Sequence, residues 1–447
     1  MKVLFISLGC DKNLVDSEYM LGILRERGYE FTDDEAEADI IIINSCCFIG
    51  DAKEESINTI LEMGAYRLDE SSRCRALIVT GCLAQRYADE IRDEIPEVDA
   101  VIGTTAYDAI DSVVERVLRG EYVRELQNTD RLVLSDLPRI STTGGYYSYL
   151  KIAEGCNKRC TYCIIPQLRG RYRSVPMERL IEEAAVLAGR GVRELILVAQ
   201  ETTVYGMDIY GKKALPELLR KLCGIDGLEW IRVMYCYPEE ITDELIDVIR
   251  EEPKICHYID MPIQHASDEI LRRMGRKTNR AELKTKIDRI RERIPDVALR
   301  TTLITGFPGE TRKDQDILLD LVETVGFERL GVFTYSAEEG TVAADMEDQI
   351  PEELKEERRD EVMSLQQGIA YDKAKEMTGR KLDAIIEGRL VDEDVYAART
   401  YMDAPGVDGM LFISSERELM SGDIVHVMVT GAREYDLIGE LCDEPAE

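Results

Sequence analysis

The sequence is poor in several residue types, and each shortage argues against a class of protein. It contains one Trp and three His, and 56 Lys and Arg stand against 88 Asp and Glu. The formal net charge of −32 disfavours a large surface for nucleic acid, because affinity for phosphates depends on Lys and Arg. Such a charge favours a basic protein as partner, although general solubility or adaptation to salt would also produce an acidic chain.

Long apolar runs are also missing, so the sequence predicts no membrane-spanning helix. Its start, MKVLFISLGC, differs from a signal peptide in two ways. The apolar stretch is only about six residues long, and no typical positively charged n-region precedes it. A first β-strand is the better interpretation of this segment. We therefore expect a cytoplasmic protein.

Cysteine, by contrast, is abundant, with twelve residues. Because a cytoplasmic compartment is reducing, we expect some of them to bind metal or to take part in catalysis rather than to form disulfides. Six of them fall into two groups with different spacing. We call these groups the loop triad (Cys156, Cys160 and Cys163) and the dispersed triad (Cys10, Cys46 and Cys82).

The chain divides into regions of different periodicity. Residues 1–125 alternate β-rich runs with amphipathic segments, which predicts an N-terminal open parallel α/β sheet, and residues 126–141 are a predicted linker. The βα rhythm resumes in residues 142–376, whose six βα units predict a partial (β/α)6 barrel. Short strands in residues 378–445 predict a small antiparallel β-barrel. The predicted fold class is therefore α/β with a third, all-β domain.

The dispersed triad follows three predicted strands of the first domain, in the segments ISLGC, IINSC and IVTGC. Ligands gather beyond the carboxyl ends of parallel strands, so we expect these three cysteines to converge. A shared metal is the favoured interpretation. The alternative is that each is an ordinary small core residue.

The loop triad lies in EGCNKRCTYCIIP, a C-x3-C-x2-C loop just after a predicted strand. Three thiolates on one loop suit a 4Fe–4S cluster whose fourth iron lacks a protein ligand. That iron can chelate S-adenosylmethionine, and an electron from the cluster then cleaves this cofactor to a radical. Zinc is the alternative, but structural zinc usually takes four ligands, and no fourth Cys or His is near in the sequence.

This loop resembles the motif of the radical S-adenosylmethionine (SAM) superfamily, in which an aromatic residue usually precedes the last cysteine. The segment GFPGE is similar to the superfamily's adenine-binding turn after the fifth strand. VAQE takes the place of its second-strand motif, although the usual Gly-Gly-Glu is absent. The resemblance implies six cofactor-binding residues: Tyr162, Gln200, Glu201, Gly306, Gly309 and Glu310.

The segments SLGCDKNLVDSEYM, NSCCFIGDAKEES and TGCLAQRY resemble the N-terminal segments of the methylthiotransferases, and the resemblance continues to a TRAM-like C-terminal barrel. It implies that the dispersed triad, with Cys46 rather than Cys47 as ligand, holds a second 4Fe–4S cluster that carries sulfur. The implied reaction replaces C–H by C–S–CH3 and uses S-adenosylmethionine as methyl donor and as radical source. An electron donor is a further implied partner.

Methylthiotransferases act mainly on tRNA adenosine derivatives or on an aspartate β-carbon of ribosomal small-subunit protein S-twelve. SLGCDKNLVDSE, VAQETTVYG and YCYPEE resemble the branch that acts on the ribosomal protein. Residues 378–447 contain six Lys or Arg and sixteen Asp or Glu, a net charge of −10 that suits a basic protein better than nucleic acid. The alternatives are a tRNA enzyme and a noncatalytic iron–sulfur interaction or redox-sensing protein.

Three further residues allow two interpretations each. His265 ends the predicted fourth strand of the central barrel, where it could face substrate or cofactor, or be a buried structural histidine. Arg171 and Arg173 follow the loop triad and could balance cluster or carboxylate charge, or be ordinary surface arginines.

Overall fold

The computed structural model of the protein describes residues 1–133, 137–391 and 394–442. The predicted linker, residues 126–141, contains neither helix nor strand in its described part, and its residues 134–136 lie outside the described residues. The end of the predicted β-barrel, residues 443–445, also lies outside them. Two parallel sheets and a closed barrel follow one another along the described chain.

The first sheet has six strands, and all of its strand pairs are parallel. The strands are β1 (Lys2–Ser7), β2 (Glu30–Phe31), β3 (Ile40–Ser45), β4 (Ala76–Gly81), β5 (Ala100–Ile102) and β6 (Val123–Glu125). Their spatial order is β2-β1-β3-β4-β5-β6. Strands β3 and β4 are buried throughout, as expected where helices cover both faces of a parallel sheet. The predicted open sheet is confirmed.

The second sheet begins with β7 (Tyr147–Lys151). A short antiparallel pair, β8 (Ala153–Glu154) and β9 (Arg173–Ser174), then encloses the loop triad in sequence. Five parallel strands complete the sheet: β10 (Glu194–Val198), β11 (Trp230–Val233), β12 (Ile255–Asp260), β13 (Ala298–Thr305) and β14 (Arg329–Thr334). Neighbours in space are neighbours in chain order, which confirms the predicted partial barrel.

Helices connect these strands. Those of the first domain are α1 (Asp11–Glu26), α2 (Gly50–Leu68), α3 (Cys82–Arg86), α4 (Ala88–Glu94) and α5 (Ile110–Leu118). Those that follow are α6 (Ile165–Arg169), α7 (Met177–Gly189), α8 (Leu215–Cys223), α9 (Asp243–Glu251), α10 (Asp268–Arg273), α11 (Arg280–Arg293), α12 (Arg312–Val325) and α13 (Glu352–Glu376). In the described parts of the chain, none of the helices has the length and apolar character needed to cross a membrane.

The C-terminal strands close into a five-stranded barrel. They are β15 (Lys381–Arg389), β16 (Val395–Thr400), β17 (Leu411–Ser414), β18 (Ile424–Arg433) and β19 (Asp436–Leu441). The predicted barrel is confirmed, and four of its pairings are antiparallel. The pair β17 and β19 is parallel, because the chain passes through β18 before it returns beside β17.

The barrel covers the inner face of the second sheet. Successive residues of a strand point to opposite faces, and Leu195 and Leu197 of β10 pack in the core beneath the helices. Ile196 and Val198 point the other way and share a core with barrel residues such as Leu411. The inner face of the sheet is thus buried by the third domain.

Buried charges also join the barrel to this face. Arg232 Nε donates to Glu194 Oε1 at 2.8 Å, and a terminal nitrogen of Arg399 donates to Glu194 Oε2 at 2.6 Å. These three side chains are at most 1% exposed. Arg232 also donates to the carbonyl of Tyr401 at 2.7 Å. Because an unpaired buried charge costs about 3–5 kcal/mol, these pairs hold the barrel in one orientation on the sheet.

Candidate functional site

The dispersed triad lies where three neighbouring strands end. Cys10 comes directly before α1, Cys46 follows β3, and Cys82 is the first residue of α3, directly after β4. Strands β1, β3 and β4 are adjacent in the first sheet. The structure therefore brings these cysteines to one edge of the sheet, as expected from their positions in the sequence.

Two glycines make this close approach possible. A Cβ atom at Gly9, where φ is +88°, would lie 2.7 Å from Cys46 Cβ and 2.9 Å from Cys46 Sγ. A Cβ atom at Gly81, where φ is +92°, would lie 2.3 Å from Asn44 Oδ1. Glycine alone accepts both the left-handed backbone and the lack of space. The cysteine after each glycine is thereby placed at the shared edge.

Asn13 fixes the loops around the dispersed triad. Its Nδ2 donates to the carbonyl oxygens of Leu8 and Ser45, both at 3.1 Å. Its Oδ1 lies 3.8 Å from Cys82 Sγ, and Asn44 Nδ2 donates to its carbonyl oxygen at 2.9 Å. Asn13 is a functional residue that the sequence did not reveal, because no motif spacing distinguishes it from other polar helix residues.

Arg169 reaches the dispersed triad from the second domain. It ends α6, six residues after the loop triad, and is 2% exposed. Its guanidinium donates to Asp16 at 2.8 Å, to Glu154 at 3.1 Å and to Asn13 Oδ1. Burial raises the pKa of the Cys82 thiol, and the nearby positive charge of Arg169 opposes that rise. One side chain therefore connects the segment of the loop triad to the dispersed triad.

The charges around Arg169 are balanced. Lys151 donates to Glu154 at 2.8 Å and also to Asp16. Two positive and two negative side chains thus form one buried, neutral network. Buried charges are tolerated in proteins when they are paired in this way.

The two arginines singled out by the sequence lie elsewhere. The side chain of Arg171 is 85% exposed, and its Nε lies 3.9 Å from Asp130. Arg173 donates to the carbonyl oxygens of Arg171 and, at 3.1 Å, of Arg169. Of the three arginines, Arg169 is the one that contacts the surroundings of the dispersed triad. These contacts do not support a role of Arg171 or Arg173 in balancing the charge of a cluster, and that role stays a prediction.

The loop triad sits in a tight loop between β8 and β9. The backbone N–H of Cys163 donates to the carbonyl of Cys160 at 3.1 Å. Gly155 has φ +78°, and a Cβ atom there would lie 2.2 Å from the carbonyl oxygen of Arg171. Gly155 directly precedes Cys156, the first cysteine of the loop, just as Gly9 precedes Cys10 and Gly81 precedes Cys82. All three glycines have a φ in the left-handed region.

A tyrosine hydroxyl lies against one sulfur of the loop triad. The hydroxyl oxygen of Tyr237 is 3.2 Å from Cys160 Sγ. The guanidinium carbon of Arg276 lies 4.2 Å from the centre of the Tyr237 ring, and Lys158 Nζ lies 4.8 Å from it. Two cations therefore surround the aromatic side chain that contacts the cysteine.

Burial raises the pKa of several thiols in the two triads, which favours their protonated form in the absence of metal. It raises the pKa of Cys156 to about 11 and that of Cys46 and Cys163 to about 12. Metal ions bind thiolates, so loading would displace these protons.

Each triad offers three thiols as donors. A 4Fe–4S cluster can take one thiolate on each of three irons and leave the fourth iron open, so three thiols fit such a cluster. Structural zinc usually takes four ligands.

The segment from Tyr235 to Tyr237 touches the surroundings of both triads. The hydroxyl of Tyr235 donates to Asp11 Oδ1 at 3.3 Å, next to Cys10, whereas Tyr237 contacts Cys160. Tyr235 has φ +59°, a backbone conformation that is costly for a bulky residue and is found mainly where surrounding structure enforces it. This strained segment therefore links the surroundings of the two triads across the domain interface.

Two predicted cofactor residues follow the end of β10 and have polar atoms without hydrogen-bond partners. Gln200 Nε2 donates to Glu154 at 2.8 Å, while Gln200 Oε1 is buried without a partner among the described residues. Glu201 Oε1 accepts from the N–H of Thr203 at 3.1 Å, while Oε2 has no hydrogen-bond partner in the described part of the chain and lies 3.8 Å from Lys158 Nζ. Burial raises the pKa of Glu201 to about 7. Unpaired buried acceptors are rare in proteins and can be satisfied by a polar ligand.

Tyr162 and the predicted adenine turn lie around Phe307. The ring centres of Tyr162 and Phe307 are 6.4 Å apart. Gly306 has φ +71°, and a Cβ atom there would lie 2.2 Å from the Lys355 side chain. Gly309, with φ +80°, is enclosed in the same way. The glycines are therefore required by the shape of the turn.

Glu310 stabilises this turn from within. Its Oε2 accepts from the N–H of Phe307 at 3.2 Å and its Oε1 from Arg358 at 2.9 Å. Both oxygens thus have protein partners, and contact with a cofactor stays a prediction. His265 Nδ1 accepts from the N–H of Ser267 at 2.9 Å, and its Nε2 lies 3.6 Å from Glu310. Because this buried Nε2 has no hydrogen-bond partner among the described residues, both interpretations of His265 stay open.

Three family models match successive stretches of the chain. The Uncharacterized protein family UPF0004 matches residues 2–103, the Radical SAM superfamily matches residues 150–322, and the TRAM domain matches residues 378–442. The dispersed triad lies in the first stretch and the loop triad in the second.

Curated relatives resemble the chain over nearly its full length. A protein of Lachnoclostridium phytofermentans named Ribosomal protein uS12 methylthiotransferase RimO is 64% identical over 98% of this chain and 99% of its own. Proteins of the same name from Acetivibrio thermocellus and Clostridioides difficile are 50% and 48% identical, and each match covers 100% of this chain and at least 99% of the relative.

Solved structures with low identity share the fold. TsrM of Kitasatospora setae, a radical S-adenosylmethionine methyltransferase, superposes with a TM-score of 0.53 at 15% identity and covers 74% of this chain and 72% of its own. OxsB, a cobalamin-dependent S-adenosylmethionine radical enzyme, superposes with a TM-score of 0.51 at 13% identity over 82% of this chain and 56% of its own. Together with the full-length relatives, the two triads and the three domains lead to one conclusion: the chain belongs to the RimO family of radical SAM methylthiotransferases.

Proposed function

We propose that this protein adds a methylthio group to the β-carbon of an aspartate in ribosomal protein uS12. The observation that carries the proposal is the connection between the surroundings of the two cysteine triads across one domain interface, which Arg169 and the Tyr235–Tyr237 segment provide. The name shared by relatives of up to 64% identity supports uS12 as the substrate.

The loop triad and the dispersed triad are the proposed ligands of two 4Fe–4S clusters. When bound, these clusters and S-adenosylmethionine supply the hydrogen-abstracting radical, the methyl group and the sulfur. Asn13 and Arg169 hold the dispersed triad in position from two domains. Tyr237 donates its hydroxyl proton toward Cys160 when that sulfur is a thiolate.

The end of β10 is the proposed site for the polar part of S-adenosylmethionine. Gln200 Oε1 and Glu201 Oε2 are acceptors without partners among the described residues, so they can accept from ammonium or hydroxyl groups. A cation beside Glu201 would favour its charged form and lower its raised pKa. Tyr162, Gly306, Gly309 and Glu310 complete the proposed site by shaping its adenine end.

Charge supports a basic protein as substrate rather than a nucleic acid. Residues 378–447 carry a net charge of −10, which attracts a basic ribosomal protein and repels phosphates. The reaction also requires an electron donor. Cytoplasmic residence, where ribosomal proteins are made, is part of the same proposal.

We assign residues 1–125 to an N-terminal methylthiotransferase domain, 126–141 to a linker, 142–376 to the radical SAM core and 378–445 to the TRAM-like barrel. The last strand of the first sheet ends at Glu125, and the first barrel strand begins at Lys381, which supports these boundaries.

Mass spectrometry of uS12 tests the proposal. Anaerobically reconstituted protein is incubated with reductant, S-adenosylmethionine and either uS12 or tRNA, and we expect 5′-deoxyadenosine together with a methylthio group on one aspartate of uS12. A methylthio group on tRNA with unmodified uS12 would assign the protein to the other substrate class. Lack of 5′-deoxyadenosine from protein with full iron content would favour a noncatalytic iron–sulfur protein.

A further inference from the structure

A cavity of about 340 Å³ opens beside Cys10, the exposed member of the dispersed triad. All three domains contribute to its wall. Its main contacts are Cys10 and Asp11 from the first domain, Tyr149 and Met234 from the second sheet, and Pro405 and Val407 from the barrel. A cavity of this size holds one side chain with its flanking backbone.

The barrel's share of this wall is a short loop, residues 404–407, which we call the barrel loop. Gly406 in its middle has φ +73°, and the side chain of Val407 is 58% exposed although it lines the cavity. The buried Pro405 and the exposed Val407 both line the cavity, so the barrel loop gives the wall an apolar side.

Buried carboxylates hold both ends of the barrel loop. On one side, Asp403 accepts from Arg329 Nε at 2.9 Å. On the other, Asp408 accepts from the Tyr258 hydroxyl at 2.8 Å and from Arg300 Nε at 3.3 Å. These donors come from β12, β13 and β14 of the second sheet.

Asp408 also closes the barrel loop on itself, because it accepts from the N–H of Ala404 at 2.9 Å. Buried ion pairs contribute little net stability, but they fix geometry, since a displaced partner leaves a buried charge unpaired. These contacts therefore fix both ends of the barrel loop beside Cys10.

The charge of the cavity indicates what enters it. Among the described residues that line it, none is Lys or Arg. A phosphate backbone needs such cations, whereas an extended polypeptide needs apolar contacts and hydrogen-bonding groups. Among the described residues of this wall Asp11 is the one charged side chain, and Lys12 pairs with it at 2.8 Å while lying 3.5 Å from the centre of the Tyr235 ring. The wall is therefore mainly apolar.

We propose that the barrel loop is the part of this chain that selects the substrate, by admitting an extended polypeptide segment into the cavity at Cys10 and excluding nucleic acid. This proposal rests on the proposed function and deepens it by naming the residues that contact the protein substrate. Pro405 and Val407 contact the residues that flank the target aspartate, while Cys10 and Tyr235 face its side chain.

Photocrosslinking tests the proposal without requiring turnover. The full-length reconstituted protein carries the substitution Val407→p-benzoylphenylalanine, and a matched variant carries Met420→p-benzoylphenylalanine at another exposed apolar position of the barrel, 65% exposed and outside the cavity wall. Each is irradiated with uS12 and, separately, with tRNA. We expect uS12 to be crosslinked at position 407 and not at position 420, and tRNA at neither.

Crosslinking of tRNA at position 407, equal labelling of uS12 at both positions, or none at position 407 would overturn the assignment of the barrel loop. Kinetics give a second measurement: Val407→Trp is expected to raise the KM for uS12 by about tenfold, whereas Met420→Trp leaves it unchanged. Mass spectrometry of uS12 treated with the wild-type protein reports separately on the proposed function. Modified uS12 with no kinetic effect at position 407 would refute the barrel loop alone.

Discussion

The two cysteine triads are constructed in opposite ways. The loop triad occupies eight consecutive positions, 156–163, whereas the dispersed triad spans residues 10–82 and three strands of a sheet. A short loop can assemble its thiols by local folding. The dispersed triad exists only after the first sheet has formed, and Arg169 of the second domain contacts the Asn13 side chain beside it, so its surroundings depend on tertiary structure.

The electrostatic surroundings of the triads differ as well. Beside the dispersed triad, Arg169 and Lys151 balance Asp16 and Glu154. Beside the loop triad, one oxygen of Glu201 is buried without a hydrogen-bond partner among the described residues. The charged network beside the dispersed triad is therefore satisfied by its own ion pairs, whereas the surroundings of the loop triad include a polar atom that a ligand would satisfy.

Removing each triad separately should have the largest effect. Cys→Ala substitution of the whole dispersed triad should leave about four of about eight irons after anaerobic reconstitution. It should abolish the methylthio product but not 5′-deoxyadenosine. The same substitution of the loop triad should also leave about four irons and abolish both products. Loss of all iron from either variant would show that the triads do not assemble independently.

Gly81→Ala should destabilise the protein by about 3 kcal/mol, because the new Cβ would combine a left-handed backbone with a contact of 2.3 Å to Asn44. Gly120→Ala is the matched control, since Gly120 has φ +85° with nothing within 4 Å of the added atom, and it should cost only about 1–2 kcal/mol. Urea unfolding of both variants measures the difference. Equal costs would mean that the space around Gly81 is not restrictive.

Glu201→Gln should change the pH dependence of stability in the iron-free protein. A carboxyl whose pKa is raised to about 7 binds more protons when folded than when unfolded, so it lowers stability as pH rises from about 4.5 through 7. At pH 8 the variant should be more stable than the wild type by about 3 kcal/mol, and at pH 4.5 nearly equal. Thermal unfolding at both pH values measures this, and a difference that is independent of pH would contradict it.

The smallest of the four predicted effects is that of Arg169→Met, which should change the redox potential of the cluster at the dispersed triad. Loss of a nearby positive charge favours the oxidised cluster, and we expect a decrease of about 60 mV, the one-electron equivalent of a tenfold change. The control Arg171→Met, at a side chain that is 85% exposed, should not change the potential. A redox titration followed by electron paramagnetic resonance measures both variants. Equal shifts would rule out a specific effect of Arg169.

The sequence predicted the sheets, the barrel and the two groups of cysteines because each has a local signal: apolar runs, βα alternation or short spacing. It did not reveal the edge strands β2 and β6, which are two and three residues long and carry no recognisable period. Asn13 and Arg169 were missed because their importance comes from contacts between domains. The spacing near the loop triad drew attention to Arg171 and Arg173, whereas burial distinguishes Arg169.

The buried contacts between barrel and sheet bear on how far the chain can be shortened. In sequence, residues 378–447 look like an appended module that could be truncated or exchanged for the barrel of a relative. In the structure, loss of the barrel would remove Arg399 from Glu194 and the Tyr401 carbonyl from Arg232. It would also remove Asp408, the acceptor of the Tyr258 hydroxyl and one of the two carboxylate partners of Arg300. Residues 378–447 are therefore a separate module in the sequence but not an independent unit in the structure. A barrel taken from a relative would need side chains that pair with the same charged residues of the sheet.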